Sequence, residues 1–291
     1  MRVTDSIITR NLMDAINQKR ENMGQIQQQM STGKRILKPS NDPQGYMKSR
    51  RLNETIGQNK QYIDTITSTR AWMENSLQVL STFEDQIMAV REIGIQSADV
   101  ANQNVRNELA NRLDGIIEDT VALANGKYMD KYIFSGSLTR GNDPFTYDGT
   151  SVSYQGNTDK ITRRIAENQN MEINVSGQTL TNTGLFQNMI DLRDALRADD
   201  DTAIHDALGA VEGAEKQLSN IISAQGSLIR QLDLTQQRLE TANANLLSNL
   251  SETEDADLMD AIVRYNREEL AYKAALQTTS ESLRLNLLDY L

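Results

Sequence analysis

Residues 255–291 read DADLMDAIVRYNREELAYKAALQTTSESLRLNLLDYL, and from Leu258 onward Ile262, Tyr265, Glu269, Tyr272, Leu276, Thr279, Leu283 and Leu287 recur at spacings of three and four. That period lays one mostly apolar stripe along a helix. No partner lies next to it in sequence. The opening segment carries a matching stripe, through Leu12, Ile16, Lys19, Met23, Ile26 and Met30. Head and tail of the chain are therefore expected to pair with each other, or with copies of themselves, as coiled coils.

The charge distribution supports the pairing. Residues 1–60 hold 11 Lys and Arg against 5 Asp and Glu, while residues 199–291 hold 17 acidic against 7 basic side chains. Opposite signs at the two ends favour association, discounted for solvent exposure. The overall charge of -10 argues against nucleic acid as a partner, because phosphate binding draws on clustered Lys and Arg. Hydrophobic residues are 38% and aromatics 5% of the chain, which predicts an aliphatic core spread along helices and an elongated shape.

The rest of the chain alternates long helical periods with one irregular stretch. The first helix is expected from Ser6 to Thr32, with Gly33 in a left-handed cap. Pro39 and Pro43 follow, and Asp42-Pro43-Gln44-Gly45 has the residue types of a type I turn. With Gly33, Pro39, Asp42, Pro43 and Gly45, this segment is expected to mark a domain boundary. Helical period resumes from Tyr46 to Asp99, pauses over the polar stretch Ala101–Asn107, and continues to Leu123.

Between Gly126 and Gly184 the pattern changes to short alternating runs punctuated by glycine. Ser151–Tyr154, Lys160–Ile165 and Met171–Val175 read as strands, with a tight primed hairpin turn at Asp148-Gly149. Helix returns from Leu185 to Leu196. Asp199-Asp200-Asp201 then breaks it and caps a segment through Ile222, and a further stripe runs from Leu228 to Leu250. The expected fold is mainly α with a small inserted β domain. Terminal coiled-coil segments 1–45 and 255–291 flank a helical bundle of 46–134 and 184–254, and the β-rich insertion occupies 135–183.

Chemistry is hard to find in this sequence. There is no cysteine, so disulfides and thiolate catalysis are excluded. The single histidine, His205, has no second ligand type nearby in sequence. The Asp199–Asp201 triplet lacks the alternating spacing of a calcium loop. Gly33-Lys34 resembles the end of a phosphate-binding loop, but Gln28 and Arg35 break that motif. No cofactor, metal or catalytic residue is expected, and no enzyme. The N-terminus has no continuous apolar region of a cleaved signal, and no run approaches the length of a membrane span.

Several stretches carry a resemblance. Arg2-Val3-Thr4-Asp5-Ser6, Ser31-Thr32-Gly33-Lys34-Arg35, Pro39-Ser40-Asn41-Asp42-Pro43, Tyr132-Ile133-Phe134-Ser135-Gly136 and Glu269–Gln277 are similar to the bacterial flagellin family. Pro39 and Pro43, and the ending Leu287-Leu288-Asp289-Tyr290-Leu291, resemble the members at the hook-filament junction more than flagellin itself. The resemblance implies export without a cleaved signal, unfolded through the flagellar type III channel, and an extracellular place in the flagellum. It implies a homo-oligomeric ring whose partners are the hook-side hook-associated protein, flagellin and an export chaperone. The implied assembly residues are Leu12, Ile16, Met23, Ile26, Met30, Leu258, Ile262, Tyr265, Tyr272, Leu276, Leu283 and Leu287. Burying one apolar stripe offsets little of the entropy of ordering the tail, so both termini are expected to order only against neighbouring copies. A divergent flagellin and a cytosolic coiled-coil scaffold are the alternatives.

Overall fold

The computed structural model describes residues 2–98 and 102–288, with the side chains of 2–6, 8, 9 and 282–288 outside the described set. Helix α1 spans Arg2–Thr32. Gly33 ends it at φ +70°, and its N–H reaches the Gln29 carbonyl at 2.9 Å, the single-bond left-handed cap that suits a residue without Cβ. Pro39 then sits second in a turn closed by the Asn41 N–H on the Lys38 carbonyl at 3.0 Å.

Helix α2, Pro43–Ala98, begins inside the stretch expected as a type I turn. The Asp42 carboxylate accepts the Gly45 N–H at 2.9 Å, and the Asp42 carbonyl accepts the Tyr46 N–H at 2.9 Å. The expectation is corrected: Asp42 caps the helix and Pro43 is its first residue. The central residues of a type I turn have nearly helical dihedrals, so the same residue types serve both structures. Helix α3, Gln103–Ala124, is capped by the Asn102 side chain on the Asn104 N–H. The polar interruption is thus shorter than expected, because Asn102 starts the helix and Asn104 and Asn107 lie within it.

Three two-stranded antiparallel sheets follow. Strands β1, Lys127–Tyr128, and β2, Lys131–Tyr132, are joined by Met129 and Asp130, whose φ values of +49° and +59° make the primed two-residue turn. Sequence places that turn at Asp148-Gly149 instead. There the loop between β3, Phe145–Tyr147, and β4, Val152–Tyr154, is four residues long. The Asp148 carboxylate accepts the N–H groups of Thr150 and Ser151 at 2.9 and 2.7 Å, so a side chain closes the wider loop. Strand β5, Thr162–Ala166, pairs with β6, Gln169–Glu172.

A short helix α4, Gly177–Asn182, lies where only strands are expected, capped by Ser176. Helix α5 spans Leu185–Ala198, and Asp199 ends it in the left-handed region. The Asp200 carboxylate accepts from Thr202 and Ala203 and starts α6, Asp201–Glu254, one continuous helix. Helix α7 spans Leu258–Leu288, capped by the Asp257 side chain on Met259 and Asp260.

The chain divides into two compact units, one of residues up to Gln58 and from Ala242, the other Asn59–Thr241. The second holds the main core. Phe83 and Ile87 of α2, Leu113 and Ile117 of α3, Met189 of α5 and Val211 of α6 are buried together with Phe134 and Phe145 of the β segment. A smaller cluster joins Ile66, Trp72 and Met73 to Ile165, Met171 and Leu232. Two arginines sequence does not single out are buried here. Arg106 donates to Asp199 and Asp201 at 2.6 and 2.5 Å. Arg193 donates to the Tyr147 hydroxyl at 2.5 Å and the Gly149 carbonyl at 2.9 Å, which ties α5 to the loop between β3 and β4.

Candidate assembly surface

In the first unit α1 packs on α7 within a single chain. Ile16 and Ile26 are buried on α1, with Leu12, Met23 and Met30 half-buried. On α7 the covered row is Ala261, Tyr265, Glu268, Tyr272, Ala275 and Thr279, at spacings of four and three. Lys19 reaches Glu268 at 2.9 Å across the seam, which realises the opposite charge of the two ends. Of the two pairings expected for head and tail, with each other or with copies of themselves, the structure has the first, each helix lying against a partner in its own chain.

The covered row is rotated by about 60° from the stripe read in the sequence, at roughly 100° per residue. Ala261 is fully buried, whereas Leu258, Ile262 and Leu276 are 48%, 41% and 43% exposed. Small alanines let two helices approach closely, so they face α1 and the larger aliphatics turn away. A second row, Met259, Val263 and Leu270, is also exposed and lies opposite the α1 seam at the same angular step. Sequence reading passes over this row because one amphipathic face is its template. Plotting α7 at 100° per residue would have shown apolar residues on both sides. The side chains of Leu283 and Leu287 lie outside the described residues.

The joint below the pair is polar. Lys34 bridges Asp255 in an isolated antiparallel contact, with the Arg35 N–H on the Glu254 carbonyl at 2.7 Å and the Ala256 N–H on the Gly33 carbonyl at 2.8 Å. The buried Glu254 carboxylate pairs with Lys34 and accepts the Ser49 hydroxyl at 2.7 Å. Burial pushes its pKa up, but the Lys34 and Ser49 hydrogen bonds outweigh this and hold it below the ordinary value. Arg35 adds a bond to the Thr253 carbonyl at 2.8 Å. The residues expected at a boundary turn thus surround a specific contact between the segment after α1 and the end of α6.

Nothing in this surface resembles a reaction centre. Among the described residues no group of three His, Cys, Asp or Glu could hold a metal, and no helix is long and apolar enough to cross a membrane. The surface is two helices pressed together with apolar residues left over. A model of the bacterial flagellin N-terminal helical region matches residues 3–139, and one of the C-terminal helical region matches 208–291. The chain belongs to the bacterial flagellin family. The N-terminal region includes α1 and the C-terminal region includes α7, and the segment between them, 140–207, holds β3 to β6, α4, α5 and the start of α6.

Among flagellin-family relatives, flagellar hook-associated protein 3 of Salmonella typhimurium is 26% identical over 267 residues, covering 88% of this chain and 82% of that protein. Its Escherichia coli namesake is 24% identical over 317 residues, covering 99% and 98%. Solved structures share the fold. A flagellar hook-associated protein of Vibrio parahaemolyticus superposes with a TM-score of 0.67 at 15% identity, over 74% of this chain and all of that one. FlgL of Bacillus cereus gives 0.61 at 19%, over 69% and 99%. The flagellin-family fold of long helices with a small β region is therefore that of this chain, a structural flagellar protein.

Proposed function

We propose that this chain is a structural subunit of the hook-filament junction, assembling as a ring of its own copies between the hook-side hook-associated protein and flagellin. The observation that carries this reading is the double-sided α7: one face is spent on α1, while Leu258, Ile262 and Leu276, with Met259, Val263 and Leu270, remain exposed. Contiguous exposed aliphatics on a helix mark a surface meant for another protein. The relatives named flagellar hook-associated protein 3 support the junction as the place. The terminal segments 1–45 and 255–291 are the assembly segments in this reading, and the helical bundle with its β insertion is the body of the subunit. Export proceeds through the flagellar channel with a chaperone, without catalysis by the chain itself.

Deletion of the coding sequence followed by electron microscopy tests this. Hooks without filaments, with flagellin shed into the medium, is the expected result. Loss of filament protein with no change at the junction would instead favour a divergent flagellin, and unaltered motility would favour a cytosolic scaffold.

A further inference from the structure

Asn125 and Gly126 form the one Asn-Gly pair of the chain, at the point where α3 ends and β1 begins. In an unfolded chain this pair is reactive, because glycine has no Cβ to keep its backbone nitrogen away from the neighbouring side-chain amide. The Gly126 nitrogen attacks the Asn125 Cγ and the new C–N bond closes a cyclic imide. The bond from Cγ to Nδ2 breaks, and ammonia leaves with the proton of the Gly126 nitrogen. Water then opens the imide at either carbonyl, leaving aspartate or isoaspartate with no change of oxidation state.

The fold keeps the two reacting groups apart. Asn125 has φ -86° and ψ 12°, which turns the Gly126 nitrogen toward the Asn125 nitrogen and away from Cβ. The ring cannot close without rotation about the Asn125 Cα–C bond, and that bond is held on both sides. The Asn125 N–H donates to the Val121 carbonyl at 3.1 Å, the Gly126 N–H to the Leu123 carbonyl at 2.9 Å, and the Gly126 carbonyl accepts the Ile133 N–H at 3.3 Å. The side chain is clamped as well. Its Nδ2 donates to the Phe145 carbonyl at 2.9 Å, and its Oδ1 accepts the Phe145 N–H at 2.9 Å. Phe145 is 1% exposed and belongs to the main core, so the clamp is anchored at its far end.

We infer that Asn125 is a deamidation site that opens only when this end of α3 unfolds, so that the chain keeps an irreversible record of time spent unfolded. The mark has a structural consequence. An aspartate carboxylate cannot donate to the Phe145 carbonyl, and isoaspartate adds a carbon to the main chain between α3 and β1. Either product dismantles the bond pair that ties β3 to the end of α3. The site lies in the second unit and is independent of the α1–α7 surface and of the junction reading.

Mass spectrometry reads the mark at a single residue. Trypsin cleavage after Arg112 and Lys127 releases residues 113–127, in which Asn125 carries the only side-chain amide. The full chain is held at mildly alkaline pH, folded in one sample and unfolded by concentrated urea in the other. Deamidation of this peptide should be at least about tenfold faster in the unfolded sample, since the folded chain reacts only through a costly local opening. Asn125→Asp, which builds in one product, should lower the melting temperature of the second unit by about 2–10 °C or prevent its folding. The inference is overturned if the folded chain deamidates here as fast as the unfolded one, or if the unfolded chain does not deamidate here. An Asn125→Asp chain that melts with the wild type removes the structural consequence and overturns it as well.

Discussion

The Ser49 hydroxyl donates to the Glu254 carboxylate at 2.7 Å across 205 positions of sequence. That bond, with Lys34 on the other carboxylate oxygen, fixes where the chain leaving α1 meets the chain entering α7. Glu254→Ala is expected to lower the stability of the first unit by about 1–3 kcal/mol, because the Ser49 hydroxyl is left buried and unpaired. A lower thermal midpoint for that unit, with the second unit unmoved, checks this.

The same contact gives a pH dependence with a definite sign. The folded-state pKa of Glu254 is held below its ordinary value, so its stabilisation is complete above the ordinary carboxylate range and is lost as pH falls through the folded value. Acid titration of the wild type should show a loss of stability below about pH 4 that Glu254→Gln lacks. Parallel acid profiles for the two proteins would contradict it.

Arg106 separates two kinds of loss. Its guanidinium is buried, while Asp199 and Asp201 are 45% and 75% exposed at their side chains. Replacing both carboxylates with Asn takes charge-assisted bonds from a donor that stays desolvated, at about 1–3 kcal/mol. Asn also tolerates the left-handed backbone at position 199. Arg106→Met releases the carboxylates to water and keeps the packing of the stem, so it is expected to cost less. Chemical denaturation of both variants gives the order.

Met129 and Asp130 carry positive φ at positions where Asn-Gly is favoured. Met129→Asn with Asp130→Gly should stabilise the second unit by about 1 kcal/mol, since left-handed backbone costs side-chain-bearing residues about that much each. An unchanged or lower midpoint would contradict the turn assignment.

These residues also show what sequence can carry. The helices are legible because aliphatic period survives over many turns, and Gly33 and Asp200 are readable because each cap has a preferred residue type. Asp42-Pro43 misleads because a turn and a helix start share dihedrals. The turn at Met129-Asp130 is invisible because neither residue advertises positive φ; tertiary packing imposes it. The α7 seam is misplaced by about 60° because period locates apolar residues but does not say which of two faces a partner takes. Ala261 and Ala275 win that contact through small size, which a hydrophobicity pattern ranks low. The pairing of Glu254 with Ser49 and Lys34 has no local signal at all.

Placement of α7 between its own α1 and a neighbouring flagellar chain is the centre of this account, and the absence of cysteine makes it directly measurable. A chain with Leu276→Cys should react readily with a maleimide as a monomer, because that position is 43% exposed. In isolated flagella the same cysteine is predicted to be protected, while Ala261→Cys, at a fully buried position, stays protected in both states. Equal labelling of Leu276→Cys before and after assembly would contradict the account.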